Sequence, residues 1–218
     1  VTVGNQTSAF SAYTVDYEPP HVSTLAAAGG DGLATAGGTA VTLTGTNFGP
    51  AAAANSNFLA VTYAVADPSG LGADALARST FVATGCSVTV AHTGIVCAAA
   101  EGVGGGLVFV ATVGNQASAS AAGARLSYTA PAVLSVAAGA AGVDVNQLET
   151  TGGEPLVVEG TNLGPLTGAG CGAGPATGCN EVTLYYPPRA DAAVAPALGG
   201  EARLCNVTVA HSTMVCVT

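Results

Sequence analysis

Six cysteines carry most of the chemistry available to this 218-residue chain: Cys86, Cys97, Cys171, Cys179, Cys205 and Cys216. Cysteines serve as metal ligands, as nucleophiles or as disulfide partners, and spacing separates these uses. Cys86 and Cys97 are eleven positions apart, as are Cys205 and Cys216, while Cys171 and Cys179 enclose only GAGPATG. Structural zinc sites place two to four residues between paired ligands and add histidines at set offsets, a pattern these cysteines lack. The spacing therefore predicts three local disulfides, Cys86–Cys97, Cys171–Cys179 and Cys205–Cys216. Bridges of that kind imply an oxidising compartment, extracellular or at the cell surface.

The remaining reactive residues do not assemble into a catalytic order. His92 and His211 both stand in VAH before the second cysteine of a pair, and His21 follows Pro19-Pro20. Equivalent histidines at equivalent positions read as turn residues rather than as ligands or bases. Every cysteine has a disulfide partner, so no Cys-His arrangement is left for nucleophilic catalysis. Asp67 and Asp74 lie in a Gly-rich stretch without the ligand spacing of a calcium loop. The run GVGGG at 102–106 leads into LVFVATV, a strand, whereas phosphate-cradling glycines lead into a helix N-terminus. The chain reads as no enzyme, with no cofactor and no metal. Two N-x-S/T sequons remain, Asn5-Gln-Thr7 and Asn206-Val-Thr208. Asn206 alternates with Val207 and Val209, so strand parity aims it at solvent and makes it the stronger candidate for a glycan. Pro19-Pro20 and Pro187-Pro188 are candidate positions for O-linked sugars.

Charge excludes further partners. Thirteen acidic residues stand against four scattered arginines, Arg78, Arg125, Arg189 and Arg203, with no lysine, for a net charge of −9. Nucleic acid and anionic membrane surfaces need clustered cations, which are missing here. The mean hydropathy of +0.51 excludes a disordered polar chain, yet no apolar run approaches the length of a membrane span, so no membrane insertion is expected. The chain starts at Val rather than Met and shows no signal peptide, and so reads as a mature or excerpted segment.

The elements that position these residues occur twice. CSVTVAHTGIVC (86–97) is answered by CNVTVAHSTMVC (205–216), GGTAVTLTGTNFGP (37–50) by GGEPLVVEGTNLGP (152–165), and TVGNQ (2–6) by TVGNQ (112–116). The offsets of 110, 115 and 119 set a unit of one β-sandwich domain. Inside a unit, Val41 and Leu43, Val88 and Val90, and Val207 and Val209 alternate with polar residues, which predicts half-buried strands. GGDG, TNFGP, DPSG and GVGGG punctuate the runs, and no capped helical pattern appears. An all-β chain follows. Boundaries fall at the prolines, giving 1–18 as terminal strands of another unit, 19–129 as one domain and 130–218 as a second. Linkers this short predict a stiff rod.

The order Pro-x-Val (Pro20, Val22; Pro131, Val133), a Gly pair (Gly37, Gly38; Gly152, Gly153), G-T-N-[FL]-G (45–49; 160–164), the cysteine hairpin and a late VGNQ-x-S resembles the IPT/TIG family of immunoglobulin-like domains. The resemblance covers nearly the whole chain and implies tandem open β-sandwiches without catalytic residues. Receptor ectodomains, surface proteins and some transcription factors use such domains, and the last need a basic surface that this chain lacks. The second unit departs by a longer loop after Gly164 that carries Cys171 and Cys179.

A second departure sets the functional expectation. After Cys97 come two further strands ending near Tyr128, whereas Cys216 is followed only by Val217 and Thr218. Residues 1–17 repeat the missing pattern. The sequence therefore predicts an extracellular structural protein, a protomer whose N-terminal segment (Val1, Val3, Val15, Tyr17) completes the second domain of its neighbour head-to-tail, as in donor-strand complementation. The partners are copies of itself, with possible glycans. Two alternatives stand beside this: a ligand-binding or adhesive ectodomain fragment of a receptor-like protein, and an excerpt of a longer covalent array. Aromatics are only 5% of residues, with Tyr17, Tyr128 and Phe109 at core parity, and this scarcity favours structure over recognition.

Overall fold

The computed structural model describes residues 1–9, 12, 16–30, 32–51, 58–66, 80–140, 142–149, 151–166, 184–186 and 200–218. It is all-β and immunoglobulin-like, with no helix among the described residues. A short hairpin comes first, β1 (Thr2–Val3) and β2 (Gln6–Thr7), and it forms a sheet by itself. The next strands are β3 (His21–Ala27), β4 (Ala40–Thr46), β5 (Leu59–Val65), β6 (Phe81–Val82), β7 (Thr84–Val90), β8 (Gly94–Ala98) and β9 (Leu107–Val113). Short β10 (Gln116–Ala117), β11 (Ala119–Ser120) and β12 (Arg125–Leu126) follow. One sheet has the order β11-β3-β4-β8-β7 and the facing sheet β10-β9-β5-β6, with β12 also on β9.

Alternation explains the core. In β4, Val41 and Leu43 point inward while Thr42 and Thr44 face out, because successive side chains leave a strand on opposite faces. Val22, Val61, Ile95, Leu107 and Phe109 are fully buried with them. The facing sheet supplies the bulk. The Tyr63 ring stacks on Phe109 at 4.3 Å and on Phe81 at 5.1 Å, and Phe81 meets Tyr128 edge-on at 5.6 Å.

The tyrosines also close a ring of hydrogen bonds. The Ala100 N–H donates to the Tyr63 hydroxyl (2.9 Å), and Tyr128 donates to the Ala100 carbonyl (2.8 Å). The Tyr63 proton is then left for the Tyr128 oxygen, 2.8 Å away. Every buried polar atom in the ring has a partner, which makes two buried hydroxyls tolerable. Burial pushes both phenols above their usual range, and at Tyr128 the bond to Tyr63 adds to the rise.

The second half contains β13 (Ala132–Ala138), β14 (Pro155–Thr161), β15 (Leu184–Tyr186), β16 (Gly200–Val209) and β17 (Thr213–Val217), ordered β13-β14-β17-β16-β15. Leu163, Val158, Ala202, Cys205, Val207, Met214 and Cys216 form a separate hydrophobic cluster.

Each repeated motif has a backbone reason. Gly38 and Gly153 donate to the carbonyls two residues after the second cysteine, Ala99 and Thr218, both at 2.8 Å. Gly45 and Gly160 sit where a strand crosses close. A Cβ on Gly45 would overlap the His21 carbonyl and the Phe48 ring, and one on Gly160 would overlap the Ala132 carbonyl. Asn47 and Asn162 hold left-handed φ of 63° and 57°, which asparagine tolerates, and their amides donate to Pro19 and Ala130 at the entry to β3 and β13. Phe48 and Leu163 then plug the two cores.

Parity fails at two equivalent places. Val88 and Val207 are buried, but Val90 and Val209 are more than half exposed. Register shifts between Val88 and Val90, and between Val207 and Val209, turn the second valine outward. The last two strands expected before Tyr128 are broken into four. The chain turns at Gly114-Asn115, crosses to pair β11 in parallel with β3, and returns as β12.

Two outcomes follow. Gly45→Ala must part β3 from β4 and should cost more than about 2 kcal/mol, whereas Gly123→Ala, with nothing within 4 Å of its Cβ, should be nearly neutral. Equal urea midpoints for the two variants would show that the close crossing carries no constraint. Tyr128→Phe leaves the Ala100 carbonyl and the Tyr63 hydroxyl short of a partner and should cost about 2 kcal/mol at pH 7. Unfolded phenols ionise near pH 10 while the folded pair keeps its protons, so stability is full below about pH 10 and falls above it. Tyr128→Phe should flatten that alkaline fall, and a slope as steep as that of the parent chain would refute the assignment.

Candidate functional site

The cysteine hairpins are the first candidate to place. Cys86 and Cys97 are bonded across β7 and β8 with Cα atoms 4.1 Å apart, and Cys205 and Cys216 across β16 and β17 at 3.9 Å. No free cysteine occurs among the described residues. Cys171 and Cys179 lie outside the described residues, as do Asp67, Asp74, Pro187 and Pro188.

The histidines do backbone work. His92 and His211 hold φ of 64° and 63° in the turns after β7 and β16. Their N–H groups donate to Gly49 (2.6 Å) and Gly164 (2.7 Å), and their carbonyls accept from Phe48 and Leu163, both at 3.1 Å. The side chains diverge. His211 Nε2 lies 3.1 Å from Glu101 Oε1, while His92 is exposed beside an open cavity. His21 Nδ1 is 3.3 Å from the Ser23 hydroxyl. Among the described residues no three His, Cys, Asp or Glu side chains converge to hold a metal. Gly102 is required by packing, since a Cβ there would meet Phe81 and the Tyr128 hydroxyl.

The cavity beside His92 measures about 590 Å³ and is lined by Asp16, Glu18, Asn47, Phe58 and Gln116 among others. Gln116 donates to the Tyr17 carbonyl (2.9 Å), and Asn47 donates to the Pro19 carbonyl (3.1 Å), which pins residues 17–19 along one wall. The wall carries the carboxylates of Asp16 and Glu18 and the side chains of Tyr17 and His92, beside an exposed Phe58 ring. That chemistry suits a ligand rich in hydrogen-bond donors.

Residues singled out for polymerisation are at the surface. Val1 and Val3 are 91% and 74% exposed on the β1–β2 hairpin, and Val15 lies outside the described residues. Tyr17, expected at core parity, is 92% exposed. Its repeat counterpart Tyr128 is buried because Tyr63 and Ala100 receive its hydroxyl, and the described residues place no such pair against Tyr17. A second exposed apolar surface lies on β13, where Val133, Leu134 and Val136 are 51%, 73% and 37% exposed.

The sequons differ in surroundings. Asn5 is exposed in its hairpin turn. Asn206 stands between buried Cys205 and Val207 and is half-buried, and its Oδ1 is enclosed without a hydrogen-bond partner.

Sequence reasoning missed the Tyr63–Tyr128–Ala100 ring and the Glu101–His211 contact. Tyr128 gave a partial signal through its parity. Nothing local marked Glu101, because its partner is 110 positions away.

No family model matches the chain, and no curated protein matches it. Among solved structures the chain is similar to the full extracellular region of plexin A4, domains 1 to 10, with 16% identity and a TM-score of 0.28 over 89% of its own length. The chain spans 12% of that plexin chain.

Proposed function

We propose that the chain is part of the ectodomain of an extracellular or cell-surface protein, a non-enzymatic segment that binds or adheres through two immunoglobulin-like units, 19–129 and 130–218, preceded by residues 1–18. The observation that carries this reading is the pair of separate hydrophobic clusters, each with its own disulfide hairpin. Such bridges persist in oxidising compartments and supplement cores in which several positions are only alanine. The acceptor-rich cavity beside Asp16, Glu18 and Phe58 supports a binding role, and the net charge of −9 favours cationic groups on the ligand.

A finer reading adds head-to-tail self-association, with a rod or filament as its product. It is supported by an internal comparison. In the first sandwich, Ala119–Ser120 follows VGNQAS and lies parallel to His21–Val22. The same sequence order recurs at VGNQTS, followed by Ala9, on the exposed hairpin. The position equivalent to His21 is Ala132 on β13, where Val133, Leu134 and Val136 face solvent. On this reading Ala9 of one copy pairs with Ala132 of the next, a heterologous contact that propagates.

Two measurements test these readings. Secreted from a eukaryotic cell, the chain should be soluble, with Cys86 joined to Cys97, Cys205 joined to Cys216, and a glycan on exposed Asn5 in preference to enclosed Asn206. Reduction should cost about 2 to 3 kcal/mol per bridge. Equally stable protein with free thiols would remove the ectodomain reading. For self-association, Ala9→Cys with Ala132→Cys should give an oxidised ladder of covalent multimers, and deletion of 1–18 should abolish the multimers formed by the unmodified chain. A monomer at all concentrations, without a ladder, would leave the adhesive reading alone standing.

A further inference from the structure

Two equivalent valines end up in different surroundings. Val22 and Val133 stand two residues after Pro20 and Pro131, and a register irregularity follows each of them, so β3 and β13 match residue by residue. Val22 is fully buried, whereas Val133 is 51% exposed. Three positions on, Leu25 packs against the first core, whereas its counterpart Val136 is 37% exposed. The cover in the first unit comes from the chain after the VGNQ turn. There β11 lies on His21 and Val22, and the Ala121 N–H donates to the Val22 carbonyl (2.9 Å). Beyond β12 the segment ends on Tyr128, whose ring meets Phe81 and whose hydroxyl meets Tyr63.

The second unit repeats the receiving side of this arrangement. Phe81 and Gly200 both stand five positions before the first cysteine of a hairpin, and the strand registers set Tyr63 opposite Phe81 and Tyr186 opposite Gly200. A tyrosine thus holds the same register position in both units. The delivering side recurs at the front of the chain. TVGNQTSA (2–9) matches TVGNQASA (112–119), and the run from there to Tyr17 is within one residue of the run to Tyr128. Tyr17 and Tyr128 each stand two residues before a clamped carbonyl, that of Pro19 held by Asn47 and that of Ala130 held by Asn162. Gln116 also donates to the Tyr17 carbonyl, so the backbone is held while the residue is 92% exposed. An aromatic side chain presented in this way is the kind of anchor that interfaces bury.

We infer that Tyr17 anchors a contact between two copies of the chain: residues 9–17 of one copy cover Val133 and Val136 on the second unit of its neighbour, and the Tyr17 ring comes to rest against strand 184–186. Tyr17 takes there the place that Tyr128 takes against Tyr63. A second copy is the occupant because the covering segment of the first unit, which opens on TVGNQ, has its sequence counterpart at residues 2–17 and nowhere else in the chain. The contact removes an aromatic ring and two valines from water, a gain that strand pairing at Ala132 alone does not bring. The inference rests on the head-to-tail reading above and deepens it: Ala9 on Ala132 sets the register, and Tyr17 supplies the burial.

Photo-crosslinking and sedimentation of the whole chain test it. With p-benzoylphenylalanine in place of Tyr17, irradiation of a mixture of isotope-labelled and unlabelled copies should give mixed-isotope products. In these, the peptide carrying position 17 should be joined to a peptide that carries Val133 or residues 184–186. Tyr17→Ala should weaken self-association about 30-fold and Tyr17→Phe, which keeps the ring, about fivefold. Neither substitution should move the unfolding midpoint of the dilute monomer, because Tyr17 is exposed in its own copy. Products confined to one copy, or products on the first unit of the neighbour, would overturn the anchor. Association of Tyr17→Ala equal to that of the parent chain, with the ladder from Ala9→Cys and Ala132→Cys still formed, would sink the anchor and spare the head-to-tail reading. A parent chain that stays monomeric and gives no ladder would sink both.

Discussion

Ala100 is where the first sandwich is tied together. Its N–H and carbonyl are taken by two tyrosines, one from β5 and one from the segment after β12. The hydroxyls complete the circuit with each other. A residue with almost no side chain thereby joins a sheet, a terminal segment and the connection between β8 and β9. The aromatic stack of Phe81, Tyr63 and Phe109 lies against the same rings, so packing and hydrogen bonding fix one another. Removing either hydroxyl would leave polar atoms enclosed among apolar ones, which is why the ring acts as a unit.

The rest of the fold shows how small residues serve a chain with few large ones. Gly45 lets β3 cross β4 closely, and Asn47 then clamps the entry to β3 by its amide. Gly160 and Asn162 do the same for β13. These residues stabilise by permitting approach rather than by filling volume. The volume comes from a few large side chains, Tyr63, Phe109 and Phe48 in the first half and Leu163 and Met214 in the second. Disulfides across the neighbouring hairpins add a constraint that an alanine-rich core cannot supply.

Much of this was legible in the sequence, for identifiable reasons. Val41 and Leu43 alternate without interruption, so period two gives their strand and its buried face directly. The repeat exposed Gly45, Asn47, His92 and their counterparts, because backbone geometry demands the same residue types twice. Val90 and Val209 misled because a bulge shifts register by one residue, and a pattern of alternation carries no mark of the bulge. Burial of Tyr128 was only half legible, because it depends on Tyr63, which is 65 positions away in sequence. The β11 crossover was illegible too, since Ala119 and Ser120 are too short a run for periodicity to register.

The two histidine turns show what repetition does and does not determine. Both use the same four backbone atoms at nearly the same distances, so the residue type is set by a left-handed turn that histidine tolerates. That constraint says nothing about the ring, which projects from the turn toward whatever lies beyond. For His92 the surroundings are an open cavity with Asp16 and Glu18 on its wall. For His211 they are the mounted carboxylate of Glu101. A residue kept for its backbone thus presents its ring to a different neighbourhood in each copy of the turn.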